Sequence, residues 1–311
     1  MKKFIFILAI AAFGLASCDK VENPYPPNND PDDIYVFYPD GDSAHYAANV
    51  WPTFTTNTNA DRNVLIEDFT GHQCIFCPAA AAAALQLEED NPGRVFVSTI
   101  HTGASGQMEA FQEITLPTFA IDFTNAEGFA IGKKFGFDWP GSPFQGNPFG
   151  SVSRKDHGNG YPVLNAGSWT SSTDAMIAAN EHKVNIQAVS NYYPSTSGFF
   201  LHTEIDVVDA GLSSDDLKIV VHLLEDSLVA PQKYPTSTDY NYVHRDIFRG
   251  SLDGFTYGRT LDAAHLTPAG TYEFFNFYEL PAQYNWENMH VIIYVRDAVT
   301  EEIYQVIKKH L

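Results

Sequence analysis

The sequence is short of basic residues, of cysteine and, beyond its first 15 residues, of long apolar runs. Lys and Arg number 18 against 38 Asp and Glu, a formal net charge of -20. That imbalance argues against nucleic acid and anionic lipid surfaces as partners, because both would repel the chain. Its plainest role is solubility. No later segment is long and apolar enough to cross a membrane. No repeat is evident, and there is no Ser-His-Asp order, phosphate loop or zinc-peptidase motif. No cofactor is implied. Only three cysteines occur, Cys18, Cys74 and Cys77. What the chain does have is apolar content of 44% and aromatic content of 14%, enough to bury real cores.

The N-terminus carries an export signal. Lys2 and Lys3 precede an uncharged, mostly apolar run from Phe4 to Leu15, of signal-peptide rather than membrane-spanning length. Leu15-Ala16-Ser17-Cys18 then has the pattern of a bacterial lipobox. The expectation is cleavage after residue 17 and lipid on Cys18 holding the chain to a membrane, since stable anchoring takes more than one acyl chain. A disulfide between Cys74 and Cys77 is chemically permitted in such an oxidising compartment.

Just under 300 residues follow the signal, which suits two domains. Residues 18–45 are rich in Pro, Asn and Asp and read as a spacer with no core of its own. The acidic pieces Asp30-Pro31-Asp32-Asp33 and Asp40-Gly41-Asp42-Ser43 lack a full calcium-loop pattern. In the expected first domain, residues 46–181, strand and helix signals alternate from about residue 62. Val64 to Phe69 and Val95 to Ile100 read as strands, and Pro78 to Glu89 as a helix ending near Asn91-Pro92-Gly93. A mixed helical stretch spans about 103–137, Phe149 to Ser153 is a further strand, and Thr173 to Glu181 a further helix. After residue 182 the period changes to alternation: Val184, Ile186 and Ala188, then Leu201, Thr203, Ile205 and Val207, with more strands near 219–224, 272–278, 291–295 and 303–307. The expected fold class is an α/β N-terminal domain followed, over 182–311, by an all-β, immunoglobulin-like sandwich.

Chemistry concentrates in Glu67-Asp68-Phe69-Thr70-Gly71-His72-Gln73-Cys74-Ile75-Phe76-Cys77-Pro78, a CxxC pair between a predicted strand and a predicted helix. In that context the pair reads as a redox motif. Cys74 is expected at the helix N-terminus, where unpaired N–H groups and the helix dipole favour a thiolate. Cys77 would be the shielded, resolving thiol, and Pro78 sits in the first turn at little cost. Two other readings stand beside this one. A zinc half-site would need His72 and His101 as additional ligands. A structural disulfide would close only a four-residue loop, worth about 2 kcal/mol in the chain-entropy model.

The segment resembles a thioredoxin-fold active site: an apolar strand, an acidic residue six positions before the first cysteine, CxxC, then a helix. The resemblance implies that Asp68 is a buried carboxylate moving a proton to or from Cys77. It also implies a cis-proline beside the cysteines, for which Pro148 is the candidate and Pro143 the runner-up. More widely, the chain resembles the outer-membrane protein 28-related lipoproteins. The matching features are the lipobox, Glu67 to Gly71 leading into Cys74-x-x-Cys77-Pro78, the Ile100-His101 strand end, Asn147-Pro148-Phe149-Gly150 with Ser153-Arg154, and a β-rich C-terminal half. That resemblance implies an outer-membrane location and a thioredoxin-like domain, without an agreed activity. The sequence departs from ordinary thioredoxins in its apolar Ile75-Phe76 dipeptide and in the roughly 70 residues between Cys77 and Pro148.

Two functions compete. One is membrane-anchored thiol–disulfide exchange on protein thiols and disulfides, with Cys74 attacking and Cys77 resolving. The other is a surface binding or adhesion lipoprotein that uses its β-sandwich and keeps a non-catalytic thioredoxin scaffold. His244-Arg245-Asp246 and Arg249 form the most polar cluster in the C-terminal half and read as strand-surface charge. Trp139, Trp169 and Trp286 read as core.

Overall fold

The computed structural model describes residues 34–103 and 109–311. The expected signal and Cys18 lie outside the described residues. The described residues are mostly β, and among them are the helices α1 (Ser43–Asn49), α2 (Cys77–Asp90), α3 (Ala126–Ile131) and α4 (Trp169–Ala179). Strands β1 (Val64–Thr70), β2 (Val95–His101), β3 (Phe149–Val152) and β4 (Val163–Leu164) come from the first half. The second half supplies β5 (Val184–Tyr193), β6 (Gly198–Val207), β7 (Leu217–Glu225), β8 (Leu228–Val229), β9 (Gln232–Lys233), β10 (Thr238–Asp239), β11 (Val243–His244), β12 (Ile247–Ser251), β13 (Arg259–Thr260), β14 (Tyr272–Glu279), β15 (Met289–Asp297) and β16 (Ile303–His310).

Strands from both sides of residue 182 share one mixed sheet, in the order β16-β15-β7-β12-β2-β1-β3-β4. The join is β12 lying parallel to β2, with Ile247 opposite Thr99. β1 and β2 are parallel across the α2 crossover, and β3 runs antiparallel to β1. The second half does build two stacked β layers, because β14-β6-β5 packs on β7 and β15. One of those layers, however, is the sheet that also holds β1 to β4. Separate domains were expected from the change in side-chain period, which reports burial on each face and not which strands become neighbours.

Alternation along β1 explains the layering. Val64 and Ile66 face α2 and α4, packing with Ala80, Ala84, Leu87, Trp169 and Met176. Leu65 and Phe69 face the other way, into a core with Phe135, Phe144, Phe248 and Tyr294 that spans both halves. Glu67 on that second face is fully buried against Arg154, with Nη2 2.5 Å from Oε1 and Nε 2.8 Å from Oε2. Ser151 donates to Glu67 and Arg154 donates to Tyr294 Oη on β15. Burial alone would raise the Glu67 pKa, but the charge and hydrogen bonds of Arg154 hold it below its ordinary value.

Two local expectations change. The second helix begins at Trp169 rather than Thr173, because Trp169 is buried against the sheet and anchors the first turn. Residues from 34 onward are also folded rather than spacer. Tyr38 and Tyr46 bury their rings against Phe200, and Tyr46 Oη hydrogen-bonds His202 Nε2 at 2.8 Å, so this segment covers the outer face of β6. Of the acidic pieces, Asp30 to Asp33 fall outside the described residues, and Asp42 caps α1 by accepting from the His45 N–H. Within the expected helical stretch 103–137, α3 and a π-helical turn at Gly132–Phe137 are helical.

Candidate functional site

β1 delivers the motif to the sheet's end. After Thr70 the chain turns at Gly71, where a Cβ would fall 2.6 Å from Gln112 Nε2 and 2.8 Å from Phe111 Cβ, so no larger residue fits. The Cys74 N–H returns to the Gly71 carbonyl at 3.0 Å. Cys74 and Cys77 are joined in a disulfide with Cα atoms 5.4 Å apart. α2 begins at Cys77 rather than Cys74, which puts Cys77 at the first helical position beside the unpaired N–H groups of the first turn. Both cysteines are only 1% exposed, whereas Phe76 between them is 63% exposed.

Two segments clamp the turn. On one side the Gln73 N–H donates to Phe111 O, and Gln73 Nε2 donates to Glu113 O. On the other, Gln232 Nε2 donates to Cys74 O at 3.1 Å and the Lys233 N–H to His72 O at 2.9 Å. The second clamp comes from β9, more than 150 positions away in sequence.

Asp68 lies on the α2 face of β1, opposite Thr99 on β2 and Gly150 on β3. It is completely buried, and neither carboxylate oxygen has a hydrogen-bond partner among the described residues. Burial therefore pushes its pKa up to about 8, so the carboxyl is largely protonated near neutral pH. Pro148 follows a cis Asn147–Pro148 bond. Asn147 Nδ2 donates to the carbonyls of Thr70 and Thr102, both at 2.8 Å, holding this turn against the end of β1. A second cis bond, Leu116–Pro117, was not expected, and Pro143 is not cis.

His72 and His101 pack their rings on Phe123, and among the described residues no group of three or more His, Cys, Asp or Glu is placed to hold a metal ion. His244 joins the same buried stack, 4.5 Å from the Phe123 ring and 5.7 Å from that of His101. Burial lowers all three histidines, His244 to about 4. The cluster at 244–249 is thus a solvated strand surface only in part, with Arg245 exposed and His244 and Asp246 buried. Asp246 is buried and accepts from Lys308, Arg245 pairs with Asp226, and Arg249 pairs with Glu225. The sequence offered no signal for this placement, because it depends on β12 docking beside β2. Trp169 is fully buried, while Trp139 and Trp286 are only partly so.

Between α2 and the 232–246 segment lies a cleft of about 320 Å³. Cys77 is among its lining residues and Cys74 is not; Pro78, Ala82, Tyr234, Tyr242 and His244 also line it.

The family model for Outer membrane protein Omp28 matches residues 145–311, more than half of the chain. The chain belongs to the Omp28 family. Membership associates it with outer-membrane lipoproteins, and among the described residues no helix is long and apolar enough to cross a membrane. The matched region begins just before Pro148 and includes the 232–246 wall of the cleft, but not the CxxC turn. No curated protein matches the chain. Among solved structures it is similar to HBP35 of Porphyromonas gingivalis, with 16% identity and a TM-score of 0.59 over 82% of this chain and 77% of that one. At that identity the likeness is one of fold. Weaker likenesses are to a structural-genomics target from Agrobacterium tumefaciens (11% identity, TM-score 0.47, 82% of this chain and 95% of that one) and to a domain of the outer membrane lipoprotein Omp28 from Porphyromonas gingivalis (20% identity, TM-score 0.30, 42% and 89%).

Proposed function

We propose that this Omp28-family chain is a lipid-anchored thiol–disulfide exchange protein acting on protein thiols and disulfides through Cys74 and Cys77. One observation carries the reading: the disulfide sits at the start of the helix that links two parallel strands, and the strand leading to it carries Asp68, buried and without a hydrogen-bond partner among the described residues. A CxxC pair on such a β-α-β unit is the context expected of a thioredoxin-like site. The strand order β2-β1-β3-β4 and the turn at Pro148 beside the end of β1 support the same reading. Asp68 then serves as the proton reservoir, since a carboxyl protonated near neutral pH can donate to a departing thiolate. Anchoring through lipid on Cys18 at the outer membrane completes the proposal.

Burial of both sulfurs favours a second reading, a structural disulfide on a scaffold that binds through its β layers. An equilibrium redox titration of the pair separates them. A potential between about -120 and -270 mV is that of working exchange proteins, and a value below about -300 mV is that of a structural bond.

A further inference from the structure

We propose that substrate proteins meet the disulfide at Cys77, through the cleft between α2 and the 232–246 segment, as extended peptides with an apolar side chain next to the reacting cysteine. The inference rests on the exchange reading and reverses the order the sequence suggested, in which Cys74 attacks. Cys77 lines the cleft and Cys74 does not. The backbone at Cys74 is instead sealed by Gln232 and by the Gln73 bonds to the 111–113 segment. At the first helical position, Cys77 also has the N-terminal N–H groups of α2 to stabilise its thiolate.

The cleft walls describe the occupant. Pro78, Ala81, Ala82, Leu85, Tyr234 and Tyr242 offer an apolar and aromatic channel, sized at the small end of ligand pockets. Phe76 projects into solvent nearby in sequence, extending the apolar surface around the pair. His244 is buried in the wall with Nε2 unbonded, while its ring lies against the Ala230 and Pro231 carbonyls. Pro78, Ala81, Ala82 and Leu85 recur at helical spacing, so they form a strip along α2 that an extended chain can follow.

In the oxidising direction a substrate thiolate attacks Cys77 Sγ and the Cys74–Cys77 bond breaks. Its electron pair leaves on Cys74, giving a Cys77–substrate mixed disulfide. A second substrate thiolate then attacks the substrate sulfur and Cys77 departs as a thiolate. The substrate dithiol is oxidised to a disulfide, the Cys74–Cys77 pair gains the two electrons, and protons exchange with solvent.

The test uses the full mature chain with Cys18→Ser, carrying either Cys74→Ser or Cys77→Ser. The probes are octapeptides holding one cysteine as a mixed disulfide with a chromophoric aryl thiol, flanked by Phe or by Ser. The Cys74→Ser chain, with Cys77 free, should couple faster than the Cys77→Ser chain. It should also prefer the Phe peptide by about tenfold or more, the factor expected from burying one such side chain. Adding Ala82→Trp, at an exposed helix position that faces the cleft, should remove the preference. Because the preference is a ratio within one variant, a general loss of stability cancels. Faster coupling by Cys77→Ser, or a preference that survives Ala82→Trp, overturns the proposal. If neither chain couples to either peptide while both react with the small aryl disulfide, the cleft is not the entrance. Failure of the exchange reading itself is reported separately, by the redox titration.

Discussion

Asp68 should make the protein less stable as pH rises through neutrality, against the usual behaviour of carboxylates. Its ordinary pKa of 3.8 is pushed up to about 8 by burial without a partner. Between those values the folded chain holds a proton that the unfolded chain has released. The number bound in the unfolded state is then smaller than in the native state, and stability falls with increasing pH. The slope approaches about 1.4 kcal/mol per pH unit for one fully shifted group. The buried histidines act in the opposite sense, an effect that fades as pH rises past their ordinary value of 6.5, so the comparison with a variant lacking the carboxyl is what isolates it. From about pH 6.5 to 8, Asp68 should remove roughly 2 kcal/mol of stability. Asp68→Asn keeps the shape and cannot ionise. Urea unfolding of the oxidised, lipid-free mature chain at several pH values, with and without Asp68→Asn, gives the difference directly. The parent should lose stability relative to the variant as pH rises, with the curves closing toward pH 4. Parallel curves from pH 6.5 to 8 would refute an uncharged, unpaired carboxyl at this position.

Two further outcomes follow from buried charge. Arg154→Met leaves Glu67 buried without its cation and should destabilise the fold by about 3–5 kcal/mol, measured by the same urea unfolding. A loss under 1 kcal/mol would mean Glu67 simply takes up a proton at little cost. His244 has a folded pKa lowered to about 4, so the unfolded state binds more protons between about 6.5 and 4, and stability falls as pH falls through that window. His244→Gln should flatten the acid limb by up to about 1.4 kcal/mol per pH unit, read by thermal or urea unfolding between pH 6.5 and 4.5.

The sequence by itself determined the elements and singled out the cysteine pair that the disulfide joins. The apolar run at Val64 to Phe69, the Ala-rich stretch after Pro78 and the run at Val95 to Ile100 became β1, α2 and β2 within a residue or two. The alternating stretches after residue 182 became strands in the expected places. Side-chain period and breaker residues lie within about ten residues of one another, and such local signals survive folding. The Omp28 relationship was read from short motifs, while the family model matches 145–311 and leaves out the CxxC turn, the most specific of them.

Only the tertiary structure decided which strands became neighbours. No local pattern states that Ile247 pairs beside Thr99, yet that one pairing merges the halves into a single sheet. It also brings His244 and Tyr242 to the wall beside Cys77, about 170 positions earlier, and buries His244 and Asp246 from a cluster that read as surface. The clamping of the motif has the same origin, because Gln112 bonds the Thr70 carbonyl and Gln232 the Cys74 carbonyl across long loops. A residue's pattern fixes which face it prefers to bury. What it is buried against, and so its pKa and accessibility, is set by partners that reach it only when the whole sheet closes.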